Sequence, residues 1–325
     1  QSKKYTDIFI GAQKKSLVEV AKIIRAGIDS VNSKIPASYC CCGNNAEFAQ
    51  EMASALAGDC EQEKFLLSEL NEIQRCAVEE SPLGIPIIYA RDIIHGCRTI
   101  FPIPLAQTAT WDYDLIRDAA SIMSAEASDD GVRLTFAPML DICTDPRWGR
   151  VIECPGEDPL LGKLFAKASV DGIQGDDMYQ KGKLAACAKH YIGYGEAVGA
   201  RDSCDTEMTY RKLREVFLPP FKKAVDAGVA SIMTAYGSID GTPFTIDSVS
   251  LKDILRGELG FDGFVVTDWD NVQSLKDKQN VCETLEEASL LAAEAGNDMI
   301  MTSREFYQAA IDGVREGMIP EALLD

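Results

Sequence analysis

From about residue 61 onward, two hydrophobic patterns alternate along the chain. Between Glu61 and Glu80, Phe65, Leu66, Leu70, Ile73 and Cys76 fall on one face at helical spacing, which predicts an amphipathic helix. The stretch that follows, Gly84-Ile-Pro-Ile-Ile-Tyr-Ala90, is apolar throughout and suits a strand buried on both faces. Runs of the same kind recur at Leu134–Met139, Leu184–Ala188, Val229–Ala235, Gly263–Val266 and Asn297–Met301. Helical patterns lie between them near residues 113–128, 158–174, 210–227, 248–259, 284–295 and 304–317. Strands that alternate with helices pair in parallel through crossover connections. The first 60 residues carry the pattern weakly: Phe9-Ile10 suits a short strand and Ser16 to Ala26 a helix. No Pro/Gly/Ser-rich linker or internal repeat divides the chain, so residues 1–325 read as a single domain.

Polar positions decide between the two architectures such a pattern allows. Asp92, Lys189 with His190, Tyr236 and Asp268 each sit just past the C-terminal end of a different apolar run. In a (β/α)8 barrel those ends converge on one mouth. An open doubly wound sheet gathers only two or three of them at its switch point. The expected fold is therefore α/β, a TIM-like (β/α)8 barrel, irregular at its N-terminus.

Composition narrows the chemistry. Apolar residues make up 46% and charged residues 26% of the 325, the balance of a globular protein. No stretch approaches the roughly 18 apolar residues of a membrane span. A net charge of −19 argues against a nucleic acid or an anionic membrane as partner and leaves a neutral small substrate. Eleven cysteines, three of them adjacent at Cys40 to Cys42, show no C-x-x-C pair, and two histidines do not furnish a His-rich metal centre. Gly193-Tyr-Gly195-Glu-Ala-Val-Gly199 misses the spacing of a dinucleotide loop, and no Walker, G-x-S-x-G or H-E-x-x-H sequence occurs. Neither metal nor cofactor is expected. The thiols read as reduced and structural, which slightly favours a cytoplasmic location; because the sequence starts at Gln1, a removed leader and a secreted or periplasmic location stay open.

Each candidate motif also has a duller reading. Phe264-Val-Val-Thr-Asp268-Trp269 sets an acid and a flat aromatic after a buried run, as a sugar site requires, but Asp268 or Asp270 also suits a helix N-cap. The loop Asp145-Pro-Arg147-Trp148-Gly149-Arg150, with Glu153 and Gly156-Glu157-Asp158-Pro159, either meets a ligand or holds itself by internal ion pairs. Lys189-His190 is a donor pair for hydroxyls, and Asp92 with His95-Gly96 either binds or merely shapes a turn.

Taken together, Asp92-x-x-His95-Gly, Arg98-Thr-x-Phe-Pro102, Asp145-Pro-Arg-Trp-Gly-Arg150, Gly156-Glu-Asp-Pro159, Lys189-His-Tyr, Leu213-Arg-Glu-Val-x-Leu-Pro-Pro220-Phe and Phe264-Val-Val-Thr-Asp268-Trp resemble the β-glucosidase branch of glycoside hydrolase family 3, in order from about residue 61 to 318. The resemblance implies the family's N-terminal barrel and an exo-acting, retaining hydrolysis that releases a terminal β-D-glucosyl unit from a β-glucoside or oligosaccharide. It implies Asp268 as nucleophile and Asp92 as acceptor of sugar hydroxyls. Arg150, Lys189 and His190 would be donors, Tyr236 a ring beside the nucleophile, and Trp269 a stacking face at the entrance. A sugar-binding barrel without turnover, or the same chemistry on xylosides or arabinosides, are the alternatives.

The match has three departures. The family's N-terminal signature is only echoed at Ser16 to Lys22, and Asp240-Gly241 replaces the usual Asn-Gly. Two-domain members carry the acid/base Glu on a following α/β sandwich domain, whereas this chain ends at Asp325, about where that domain's linker begins. The loop from Gly193 to Thr209 lacks the histidine of the N-acetylglucosaminidase branch. The expectation is a barrel without the sandwich domain, its acid/base supplied by a second domain or chain. Glu157, Glu196, Asp202 and Glu207 are the other carboxylates at hand. The docking face left by such a domain predicts a homo-oligomer or a bound second chain.

Overall fold

The computed structural model describes residues 60–81, 84–303 and 305–320. By contact the chain divides into two compact units, one spanning Ala90–Ile319 and the other Gln1–Tyr89 with Pro320–Asp325. In the second, the helix Cys60–Glu79 forms where apolar spacing predicts it. The expected features at Phe9-Ile10, at Ser16 to Ala26 and at Cys40 to Cys42 lie outside the described residues.

The unit Ala90–Ile319 is built on five parallel strands: β1 (Ala90–Arg91), β2 (Leu134–Thr135), β3 (Ala185–Tyr191), β4 (Ser231–Thr234) and, after an antiparallel ribbon of β5 (Ser238–Ile239) and β6 (Thr242–Pro243), β7 (Phe264–Val266). Their order in the sheet is β1-β2-β3-β4-β7, so neighbours in space follow one another along the chain. That sequential winding belongs to a TIM-like arrangement, whereas a doubly wound sheet reverses direction at a switch point. Among the described residues the sheet is an open arc rather than a closed barrel. A single parallel bridge, Val266 to Met299, continues it at the site of the expected strand 297–301. The expected strand 84–90 is reduced to its last residue; stretch 84–89 carries no strand.

Helices follow the strands, and their ends have local causes. Tyr113–Asp129 starts at Asp112, whose carboxylate accepts from the Leu115 amide at 3.0 Å. Pro159–Gln174 is capped by Asp158, which accepts from the Leu160 and Leu161 amides at 2.7 and 3.0 Å. The predicted helix at 210–227 is interrupted by a π-helical segment, Leu213–Phe217, and the one at 248–259 is π-helical over Val249–Glu258. Strand residues Ala186, Ile232 and Val265 pack with helix residues Phe165, Phe217 and Phe221 in one continuous core. Each of these side chains apart from Ala186 contributes about 1.5–3 kcal/mol by leaving water. This packing fixes the strand ends from which the site is built.

Candidate active site

Parallel pairing brings the C-terminal ends of the strands to one edge. Asp92 follows β1, Lys189 and His190 lie at the end of β3, and Tyr236 comes two residues after β4. Asp268 and Trp269 follow β7. With Arg150 from the loop after β2, all seven line a cleft of about 440 Å³. That volume lies in the range of pockets that enclose small organic ligands. Lys189 and His190 are consecutive, and on a regular strand they would face opposite ways. The β3–β4 register shifts between Ala188 and Tyr191, and both side chains reach the cleft.

Charge in the cleft is mostly paired. The buried Lys189 ammonium donates to Asp92, which is itself largely exposed. Arg150 grips Glu153 with two hydrogen bonds of 2.8 Å, Nε to Oε1 and Nη2 to Oε2, and lies over the Tyr194 ring. Burial works to raise the Glu153 pKa, but the Arg150 bonds and charge hold it below the ordinary range. Asp202, also in the cleft wall, accepts from Tyr194 Oη at 2.6 Å and Trp148 Nε1 at 3.0 Å, and these bonds depress its pKa against the effect of burial.

Asp268 stands differently. Its Oδ1 accepts the Trp269 amide at 2.6 Å and lies 3.2 Å from Tyr236 Oη, whose proton is shared with the Trp269 carbonyl at 2.8 Å. Burial and the Asp268 charge push the Tyr236 pKa up, so the phenol keeps its proton. Oδ2 lies 3.4 Å from His190 Nε2. Trp269 is 61% exposed at the mouth, an aromatic face open to a sugar's C–H groups. His190 is fully buried; burial first, then the Lys189 and Arg150 charges, lower its pKa well below the ordinary value and keep it neutral.

Four residues that matter to this geometry are absent from the sequence-based selection of site residues or only glanced at there: Asp141, Glu153, Tyr194 and Asp202. Asp141 is buried under His190 and accepts both the His190 amide and Nδ1 at 2.9 Å on one oxygen. Tyr194 is placed by glycines: Gly193 has φ +88°, and a Cβ on Gly195 would stand 2.3 Å from the Ile142 carbonyl. The glycine run thus serves close backbone approach. For Asp145 the duller reading holds, since it pairs with Arg147, which lowers its pKa to about 2; Asp158 is a helix cap, a role the sequence reading did not give it. His95 receives no cleft role; its Nδ1 meets the Phe101 carbonyl at 2.8 Å. Of the loop carboxylates, Glu157 and Glu207 are exposed and Glu196 pairs with Lys212.

The chain as a whole is similar to known proteins. Residues 49–325 match the profile described as the glycosyl hydrolase family 3 N-terminal domain. The periplasmic β-glucosidase of Salmonella typhimurium is 35% identical over 258 residues, 79% of this chain and 34% of that protein. A β-xylosidase of Formosa agariphila is 37% identical over 244 residues, 71% of this chain and 34% of that protein. The solved β-glucosidase of Listeria innocua in complex with glucose is 38% identical with a TM-score of 0.75, over 78% of this chain and 35% of its own. The chain therefore spans about a third of the length of the relatives it matches.

Proposed function

The chain belongs to glycosyl hydrolase family 3, and from that premise we propose that it is the catalytic barrel of an exo-acting, retaining β-glucosidase. The observation that carries the reading is Asp268: a carboxylate on the cleft wall with one oxygen held by the Trp269 amide and the other, 3.4 Å from His190 Nε2, without a hydrogen bond among the described residues. Around it, Asp92, Lys189, Arg150 and His190 supply the acceptors and donors that fix a polyhydroxylated ring, and Trp269 a face on which it stacks.

In the first step Asp268 bonds to the anomeric carbon as the bond to the leaving oxygen breaks, and that oxygen takes the electron pair and a proton. In the second, water attacks the same carbon and gives up a proton, and the carboxylate departs. The configuration is inverted twice and so retained. The remaining cleft carboxylates are occupied: Asp92 by Lys189, Glu153 by Arg150, Asp202 by Tyr194 and Trp148. The proton donor is therefore assigned to a second domain or chain.

A fluorinated glucosyl fluoride tests the reading, since fluoride leaves without an acid. Mass spectrometry is expected to find a glucosyl adduct on the peptide bearing Asp268. A bound sugar without an adduct overturns the enzyme reading in favour of a sugar-binding barrel. The similarity to a β-xylosidase favours a second substrate, and aryl glucosides compared with aryl xylosides decide between the sugars.

A further inference from the structure

We infer that Asp141 is a positioning residue for the reaction, holding His190 as the tautomer protonated on Nδ1, so that Nε2 faces the cleft as a hydrogen-bond acceptor. The inference rests on the proposed β-glucosidase reading for its catalytic meaning, though not for its geometry.

The geometry is determined from both sides of the ring. On the buried side, Asp141 Oδ2 lies 2.9 Å from the His190 amide, which is a donor, and 2.9 Å from Nδ1. An ionised Asp141 can only accept, so Oδ2 takes the Nδ1 hydrogen as well as the amide's, and it does the same with a proton on Oδ1, which has no partner in the fold. Only a proton on Oδ2 itself would be donated to Nδ1, and the cleft side excludes that. On the cleft side, Nε2 meets Arg150 Nη1 at 3.4 Å in hydrogen-bonding geometry. A guanidinium only donates, so Nε2 must accept. Arg150 is not free to turn away, because Nε and Nη2 are both committed to Glu153.

The consequence falls on the nucleophile. Asp268 Oδ2 is as close to Nε2 as Arg150 is, at 3.4 Å, but no hydrogen bond joins them. With the proton on Nδ1 the imidazole has none to give to Oδ2, and that oxygen keeps its lone pairs for the anomeric carbon. The other tautomer would donate to Oδ2 and blunt it. Nε2, already an acceptor for Arg150, has no proton to offer a sugar hydroxyl, which reverses the donor role that the family resemblance implies for His190.

The chain has two histidines, so ¹⁵N-histidine labelling gives two imidazoles, told apart by His95→Gln. The expected long-range ¹H–¹⁵N spectrum of the unliganded protein shows His190 with Nδ1 protonated and Nε2 bare. A protonated Nε2, or an imidazolium, overturns the inference whatever the activity. Asp141→Ala is expected to mix the tautomers and to lower kcat on dinitrophenyl β-glucoside about 10–100-fold, the range seen when a metal-bound histidine loses its outer partner. Asp141→Asn, whose amide oxygen still accepts both N–H groups, is expected to restore the single tautomer and most of kcat. If the alanine variant does not fold, the wild-type and asparagine spectra still decide. A wild type that shows the Nδ1–H tautomer but turns over no glycoside refutes the proposed function and leaves the positioning of His190 standing.

Discussion

Replacing Asp92 by Ala tests two things at once, because a proposed sugar contact is tied to a buried cation. The Lys189 side chain is 5% exposed and its ammonium is paired with Asp92, which is 62% exposed. Stripping the partner from a wholly buried ion costs about 3–5 kcal/mol. Here one partner already faces water, so the loss belongs to the range for one unsatisfied buried group, about 1–3 kcal/mol. For a unit of this size each kcal/mol shifts Tm by about 2–4 °C. On the binding side, two hydrogen bonds from sugar hydroxyls to a carboxylate are worth about 1.5–3 kcal/mol each. Their loss weakens glucose binding by about two to four orders of magnitude. Thermal melts and calorimetry with glucose read the two effects separately. Asp92→Ala combined with Lys189→Met removes the lone buried charge and should recover much of the stability while binding stays lost. Unchanged glucose affinity in Asp92→Ala removes the residue from the sugar cage. A double variant no more stable than the single one refutes the buried-charge argument.

Two further outcomes follow from the same site. On the proposal that the acid/base lies outside this chain, a dinitrophenyl β-glucoside should outpace cellobiose by roughly the 10²–10⁴ that general acid help supplies, and azide should rescue turnover as glucosyl azide. Comparable rates on both substrates would place the acid within the chain. The second outcome concerns pH. Burial pushes the Asp141 pKa from its ordinary 3.8 to about 7, opposed by the His190 amide and nearby cations. A carboxyl raised in the fold stabilises it fully below pH 3.8, and that stability is lost as pH rises toward 7. Urea unfolding at pH 5 and pH 8 should therefore show Asp141→Asn gaining on the wild type by a few kcal/mol. His190, neutral in the fold, acts in the opposite direction below pH 6.5 in both proteins. No gain at pH 8 would mean that the Asp141 carboxyl is not raised.

How much of this was legible follows from where each force acts. The helices at 113–129 and 159–174 were readable because their apolar faces are local. The strand ends were readable because a polar residue that closes an apolar run has few other reasons to be there. The same rule, carried one residue past Leu140, would have reached Asp141, and this is the signal that sequence reasoning passed over. Strand lengths were not readable: Gly84–Tyr89 is as apolar as β4 yet carries no strand, since ladder formation depends on a partner that the run does not encode. Glu153 and Asp202 were not readable as cleft carboxylates either, because their partners Arg150, Tyr194 and Trp148 are assigned only by how the loops fold back.

The choice among the cleft's carboxylates rests on what each neighbour leaves free. Glu153 has both oxygens committed to Arg150. Asp202 has Oδ1 taken by Tyr194 and Trp148 and Oδ2 by Ser203 at 3.2 Å. Asp92 gives Oδ1 to the Lys189 ammonium, and its exposed remainder is solvated, so a sugar hydroxyl replaces water there at little cost. Asp268 is different on every count: it is nearly enclosed, only its Oδ1 is engaged, and among the described residues no Lys or Arg forms an ion pair with it. A carboxylate oxygen without a hydrogen-bond donor is a costly thing to hold in a partly dry cleft. The fold meets that cost through the surrounding cage. An electron-poor carbon is the partner that would relieve it, and the anomeric carbon of a bound glycoside supplies one.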